Sequence, residues 1–152
     1  MEALTTTNVN EPIQYIVIKL GVELYGIDIK YVDNIVRMQK ITRVPKTQSF
    51  FVGVINLRGE IIPVMSLRKR FGLEDDVYTD KSRIIVIKPE QQESIGLIVD
   101  VVREVVTLSD DQIEKVYSDG KEDKAKFLSS VGKNTDGSLI SLLNVNGVID
   151  VN

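Results

Sequence analysis

The hydrophobic residues of this chain come mostly in short runs that glycine, proline and charged residues interrupt. The clearest example is the stretch 51–67, in which two apolar, β-branched arms flank Asn56-Leu57-Arg58-Gly59. Asparagine first and glycine last are typical of a type I turn that a glycine at positive φ closes, with a bulge. The stretch therefore predicts a β-hairpin with Arg58 held out at its tip. Because Pro63 cannot donate a ladder hydrogen bond, we expect the second arm to lie at a sheet edge or a bulge.

Similar short runs predict further strands on both sides of this hairpin. Alternation and β-branched residues indicate strands at 15–20, 24–29, 35–38 and 82–88. A single helical turn is expected at 30–35, and a short helix at 67–71 that Gly72 ends. The charged segment 108–126 predicts a short helix or a mobile loop, and residues 1–12, which have no hydrophobic period, predict a flexible leader.

The two halves of the chain repeat each other. The strand at 14–19 is matched by 82–88, and the segment 25–35 by 95–105, with Gly26 and Gly96 in register. Further on, the turn at 56–59 is matched by 134–137. Agreement in the same order over several elements indicates duplication. We therefore predict one domain from residue 13 to 152, built of two units over about 13–80 and 81–152. Whether they exchange strands stays open.

The size of each half favours a small closed β-barrel, because five short strands with tight turns can close and so remove their sheet edges. The valines at 99–106 are too many to point into one small barrel on either a strand or a helix period, so part of that run is expected to face the other half. The predicted fold class is mainly β: two pseudo-repeated barrels that share a hydrophobic interface, with a few short helices. The seam between them would be a third core and a groove.

Composition removes several kinds of chemistry. The chain contains neither Cys nor His, which excludes disulfides, thiolate nucleophiles, thiolate metal sites and imidazole bases, and we expect neither a cofactor nor a metal. A net charge of −3 argues against a nucleic-acid-binding protein. We interpret the basic cluster Arg68-Lys69-Arg70 as a solvated helix face. No stretch has the length and hydrophobicity of a signal peptide or membrane span, so a cytoplasmic protein is expected.

Two kinds of function can be weighed from the residues alone. A carboxylate hydrolase could use Asp100 with Glu104, or Asp28 with Asp33, but isolated acidic residues beside strands and turns are usually solvated or capping. A small barrel that binds nucleic acid or a proline-rich peptide needs aromatic platforms, and the chain has five Tyr, four Phe and no Trp to supply them. The residues therefore argue against both functions, and of the two the small binding module is kept as the alternative interpretation.

The motifs also resemble a known family. The hairpin GVINLRGEIIPV at 53–64, followed by LRKRFG at 67–72, closely resembles the signature of the CheW family of bacterial chemotaxis coupling proteins. The segments ITRVP at 41–45 and GLIVD at 96–100 also fit, so the likeness covers about 14–150. It implies two SH3-like five-stranded barrels around a shared interface.

The resemblance also implies a non-catalytic adaptor function and its partners. A member of this family links the histidine kinase CheA, whose regulatory domain has the same fold, to the cytoplasmic tips of chemoreceptors. It would work in the cytoplasm, recruited to receptor arrays at the inner face of the membrane. The implied partner-binding residues form two groups: the shared turn, with Asn56, Arg58 and Gly59, and a groove for the receptor's helical hairpin, lined by Val32, Ile35, Val36, Val99, Val102 and Val105.

Two residues depart from the family pattern. Many relatives carry Glu where this chain has Asn34, and Glu before the hairpin glycine where it has Val52. Ion pairs that relatives make through those carboxylates are therefore in question, although Glu104 occupies the site equivalent to Asn34 in the second half.

Overall fold

The computed structural model describes residues 11–45, 47–90, 92–115 and 124–150. The strands in these ranges are β1 (Ile13–Leu20), β2 (Glu23–Asp28), β3 (Val32–Arg37), β4 (Phe51–Leu57), β5 (Glu60–Ser66), β6 (Arg83–Ile87), β7 (Ile95–Val99), β8 (Val101–Leu108), β9 (Ile113–Lys115), β10 (Leu128–Lys133) and β11 (Leu139–Leu143). The helices are α1 (Leu67–Arg70), α2 (Lys124–Phe127) and α3 (Val145–Ile149), with 3-10 turns at Ile29–Tyr31 and Asp110–Gln112. The mainly β fold class is confirmed.

The strands form two sheets that follow the same plan. One has the order β8-β1-β2-β11-β10-β9 and the other the order β3-β6-β7-β5-β4. Each half of the chain gives its first two strands to the other half: β1 and β2 join β8, β10 and β11, whereas β6 and β7 join β3, β4 and β5. The duplication is therefore visible in the topology. The units 13–80 and 81–152 do not correspond to the two sheets, because the strands are exchanged.

The glycines that match in the sequence lie where the exchanged strands meet their new neighbours. Gly26 of β2 pairs with Leu142 of β11, and Gly96 of β7 pairs with Val64 of β5, both in parallel. A Cβ atom on Gly26 would lie 2.8 Å from a methyl group of Leu142, and one on Gly96 would lie 2.8 Å from a methyl group of Ile84. Since real Cβ atoms do not approach so closely, glycine permits this packing in both halves.

The described residues form three hydrophobic cores. The largest lies between the sheets and takes side chains from both, including Ile16 and Ile18 of β1, Ile85 and Ile87 of β6, and Leu67 of α1. Each sheet also encloses a smaller core of its own, one with Ile55, Ile62, Val64, Ile84, Val86 and Ile98, the other with Tyr15, Val17, Leu108, Ile140 and Leu142. The central core is the third core that the valine run predicts.

Local predictions differ from the structure in a few places. The second hairpin arm, β5, is not an edge strand, because it lies between β4 and β7, but the β4–β5 ladder does contain a bulge, between Phe51 and Gly53 opposite Val64. Its pairing with β7 begins only at Val64, so the missing N–H of Pro63 breaks no ladder with that strand. The turn predicted at 30–35 is only the 3-10 turn Ile29–Tyr31, since Val32 already pairs with Ile87.

The charged segment after β8 contains a 3-10 turn and the three-residue strand β9, which gives the first sheet a sixth strand where five are predicted. The rest of that prediction, over 116–123, lies outside the described residues, as do residues 1–10 of the predicted leader.

Candidate partner-binding surfaces

The first hairpin tip, defined as Asn56 to Glu60, is tighter than the sequence predicts. Leu57 pairs directly with Glu60, so Arg58 and Gly59 alone form the loop. Both have positive φ, 53° at Arg58 and 85° at Gly59, as a type I′ turn requires. The predicted type I turn with a bulge is therefore wrong, because the strand register leaves room for two loop residues rather than three. The Gly59 N–H donates to Oδ1 of Asn56 at 3.0 Å, which closes the tip.

The strand after this tip carries an exposed apolar side chain that the sequence analysis did not select. Ile61 is 61% exposed, whereas its neighbour Ile62 is buried. In the second half, Leu139 is 63% exposed beside the buried Ile140. Strict alternation of faces along a strand is the signal that could have found both residues, because Ile61 and Ile62 cannot face the same core.

Four of the predicted groove residues occupy matched positions on the edge strands β3 and β8. Val32 and Val102 are half-buried and pack against the central core. Beyond them, Ile35 and Val105 remain 38% and 50% exposed. We call these four residues the edge rim.

Strand register explains why the edge rim follows the repeat. Ile35 lies opposite Ile85, and Val105 lies opposite Ile16. Directly opposed residues share a sheet face. Both opposed isoleucines belong to the central core, so Ile35 and Val105 border that core from two equivalent strands. The fold thus leaves apolar surface at the margin of its largest core.

The other two predicted groove residues pack into cores, Val99 completely and Val36 in part. Val99 is completely buried in the central core, so it cannot contact a partner in this structure. Val36 lies opposite Ile84 and packs against the core of its own five-stranded sheet, on the face away from Ile35. Both corrections have one cause: an apolar side chain that fills a core has the same chemistry as one that lines a groove.

The basic cluster on α1 is not a solvated face, apart from the exposed Lys69. The Arg70 guanidinium lies 4.5 Å from the ring centre of Phe50 and 4.9 Å from that of Phe127. It also donates to the carbonyl oxygens of Val148 and Asp150 at 2.8 and 2.6 Å. Burial lowers its pKa. Arg70 therefore fastens the C-terminal helix α3 to α1 through aromatic faces and helix-end carbonyls.

Arg68 is the second arginine that the fold uses. Its Nε and Nη2 atoms donate to the two carboxylate oxygens of Asp100 at 2.9 and 2.6 Å. The hydrogen bonds from Arg68 hold the pKa of Asp100 below its ordinary value, and a further one from the Gly21 N–H acts in the same direction. The ion pair with Arg68 gives Asp100 a structural role. Asp100 is therefore a poor candidate for the catalytic carboxylate that the hydrolase hypothesis requires.

The remaining carboxylates offer little for metal chemistry. Among the residues that the structure describes, no group of three or more Asp and Glu side chains could hold a metal ion. In the same ranges no helix is long and apolar enough to cross a membrane.

Comparison with known proteins decides the family. The model of the CheW-like domain matches residues 14–152. The chain belongs to the CheW family. Chemotaxis protein CheW of Bacillus subtilis is 36% identical over 126 residues, which cover 83% of this chain and 80% of that protein. CheW of Helicobacter pylori is 31% identical over 139 residues, covering 91% and 82%.

A solved structure shows the same fold. The scaffolding protein TtCheW from Thermoanaerobacter tengcongensis is 38% identical, with a TM-score of 0.83 over 93% of this chain and 94% of that one. Together with the CheW relatives, this likeness confirms the function class predicted from the sequence, an adaptor in chemotaxis signalling. It also supports the two SH3-like β units of the predicted fold class.

The two departures from the CheW pattern have local roles. The side-chain oxygen of Asn34 accepts a hydrogen bond from the N–H of Ile35 at 2.9 Å, next to the edge rim. Val52 is half-buried against the core of the five-stranded sheet. Glu104, at the site equivalent to Asn34, is exposed on β8. The carboxylate of the second half thus remains open to a partner.

Proposed function

We propose that this chain is a non-catalytic link between the histidine kinase CheA and the cytoplasmic tips of chemoreceptors. The edge rim receives the receptor tip, and the first hairpin tip contacts the regulatory domain of the kinase. The chain then works in the cytoplasm, in receptor arrays at the inner face of the membrane. Matched apolar exposure on β3 and β8 is the observation that carries the proposal.

The receptor surface follows from the chemistry of the edge rim. An α-helical hairpin docks by laying an apolar stripe against apolar side chains, which contribute buried area rather than directional bonds. Val32, Ile35, Val102 and Val105 offer such side chains at the margin of a rigid core, so little conformational entropy is lost when a helix covers them. Glu104 lies opposite Val17, whose side chain belongs to the core of the six-stranded sheet, so its carboxylate lies on the face of β8 away from Val105.

The kinase surface follows from the hairpin tip. Arg58 and Ile61 place a cation and an exposed apolar side chain on one short hairpin. If the regulatory domain of the kinase shares this fold, as the resemblance implies, matching barrel ends can pair pseudo-symmetrically. Arginine held on a tight turn is a suitable interface anchor, because it loses little freedom on binding.

The receptor surface is tested with charge substitutions at positions of different burial. Val105→Asp and Ile35→Asp should leave the protein folded, because both side chains are already partly in water. Either should weaken binding of a receptor signalling-domain fragment by roughly 2 kcal/mol or more, since a charge enters a desolvated contact. Thermal unfolding and titration calorimetry measure the two effects.

Two controls frame that experiment. Val99→Asp should unfold the chain, because it places a charge in the central core. Val77→Asp changes a valine that is 79% exposed and distant in sequence from the edge rim, and it should alter neither stability nor affinity. Folded Ile35→Asp and Val105→Asp variants that bind the receptor fragment as tightly as the wild type would refute the proposed receptor surface.

The proposal also states that the chain has no activity of its own. A sequence with neither His nor Cys, and without a phosphate-cradling G-x-x-x-x-G-K-[ST] loop, offers no nucleophile–base pair of the usual kind and no Walker-type site. We expect no ATP binding in calorimetry and no hydrolysis that co-purifies with the chain. Stoichiometric ATP binding would contradict this part of the proposal.

A further inference from the structure

Asp100 is the one residue between β7, which belongs to the five-stranded sheet, and β8, which belongs to the six-stranded sheet. Its carboxylate accepts the forked pair of hydrogen bonds from Arg68, on the helix that follows β5. It also accepts a hydrogen bond from the Gly21 N–H at 2.8 Å, in the turn between β1 and β2. One side chain thus ties together three segments at the point where the chain passes from one sheet to the other.

We call the hydrogen bonds that join Arg68, Asp100 and Gly21 the tie. The tie is partly shielded from solvent, and its geometry is specific. The Arg68 and Asp100 side chains are 18% and 23% exposed. A guanidinium fork fixes both the distance and the plane of the carboxylate that it holds, which a single point charge does not. Gly21 has a φ of 62°, a conformation that turns its N–H towards the carboxylate without the strain another residue would carry.

The equivalent crossing in the first half is built differently. Lys30 stands at the position that matches Asp100, between β2 and β3. Its Nζ atom lies 4.0 Å from Asp28, and its side chain is 61% exposed. Within the described residues, the beginning of β8 is therefore held by a partly buried forked ion pair, whereas the beginning of β3 is held by a 3-10 turn and an exposed ion pair.

We infer that Asp100 is a positioning residue for partner binding: clamped by Arg68 and Gly21, it sets the direction in which β8 leaves the junction and so places Val102 and Val105. Asp100 itself contacts no partner. The inference rests on the proposed receptor surface, and it adds that half of the edge rim depends on a charged tie at the start of its strand.

The experiment compares receptor affinity across substitutions in the tie, at a temperature where every variant is fully folded. Asp100→Asn keeps the shape but loses the forked acceptor, and it should lower affinity for the receptor fragment roughly fivefold to tenfold, the usual size for a residue that modulates a site without touching the ligand. Arg68→Lys keeps the charge without the fork and should lose affinity as well. Lys30→Ala, at the matched position, should bind as the wild type does.

Two further readouts separate positioning from general weakening. The double variant Arg68→Ala/Asp100→Ala should bind no more weakly than the worse single variant, because both side chains act through one tie. Amide exchange should rise at Val101 and Val102 in each tie variant, while kinase binding through the first hairpin tip stays unchanged.

The outcomes distinguish this inference from the proposed function. If Val105→Asp abolishes receptor binding while Asp100→Asn and Arg68→Lys bind normally, the edge rim stands and the positioning role is wrong. If the wild-type chain does not bind the receptor fragment, the proposed receptor surface and this inference both fail. Equal losses of receptor and kinase affinity in the tie variants would also overturn the inference, since a tie at the start of β8 should spare the distant hairpin tip.

Discussion

The two hairpin tips are related by the duplication, but they close with loops of different length and conformation. The first closes with two residues and places Arg58 at a positive φ, the one non-glycine residue with such a φ in the described part of the chain. The second uses the longer loop 134–138, in which the Gly137 N–H donates to the carbonyl of Asn134 at 2.9 Å. A left-handed conformation costs an L-residue about 1–2 kcal/mol. Because the second tip closes without that cost, folding alone does not explain Arg58.

What the tips share is equally informative. Each contains a glycine at positive φ, 85° at Gly59 and 91° at Gly137. Each is followed by an exposed apolar residue, Ile61 or Leu139. The shared features belong to the duplicated hairpin, whereas the strained arginine belongs to the first tip alone. Function is therefore best sought in what the first tip has and the second lacks.

The largest expected effect concerns the shared glycine. Gly59→Val should lower the free energy of unfolding by about 2 kcal/mol, because a β-branched side chain is strained at positive φ. Gly137→Val should cost a similar amount, since its φ is nearly the same. Urea unfolding measures both. A Gly59→Val variant of wild-type stability would mean that the first tip does not have the described conformation.

A smaller effect should separate the tips by function. Arg58→Ala should weaken kinase binding by about 1–2 kcal/mol if the guanidinium is an interface anchor, while stability changes by only about 0.5 kcal/mol. Thr135→Ala changes an exposed residue of the second tip; it serves as the control and should leave kinase binding unchanged. Wild-type affinity of Arg58→Ala for both kinase and receptor would remove Arg58 from the binding surface.

The smallest effect has the opposite sign for stability. Arg58→Gly relieves the strain of positive φ, partly offset by the greater freedom of glycine in the unfolded chain, so stability should rise by about 0.5 kcal/mol. Kinase affinity should fall as in Arg58→Ala. Thermal unfolding measures the expected rise in stability, and calorimetry on the same preparation measures the expected loss of kinase affinity. Arg58→Asn is a second variant, because asparagine tolerates a positive φ. A loss of stability in both variants would show that Arg58 contributes contacts that outweigh its strain.

Much of the local structure could be predicted because local patterns carry it. Alternation of apolar residues predicts most of the strands, and Gly72 ends α1 as expected, with a φ of 75° and its N–H donating to the Lys69 carbonyl. Turn type was harder, because it depends on the register of Leu57 with Glu60, a property of the paired strands. Pro63 shows the same limit: its strand lies inside the sheet although proline favours edges.

The sequence by itself determined the duplication, the β-rich class, the family signature and the residue types at the first hairpin tip. Tertiary structure alone decided which half receives β1 and β2, because exchanged and unexchanged hairpins have the same local pattern. It also decided that Val99 lies in the core while Val105 is exposed, and that the Arg68 and Arg70 side chains bind other parts of the protein instead of facing solvent. Burial and ion pairing depend on contacts with residues that are distant in the chain. The hydrophobicity or charge of one residue does not specify which distant residues will contact that residue in the folded protein.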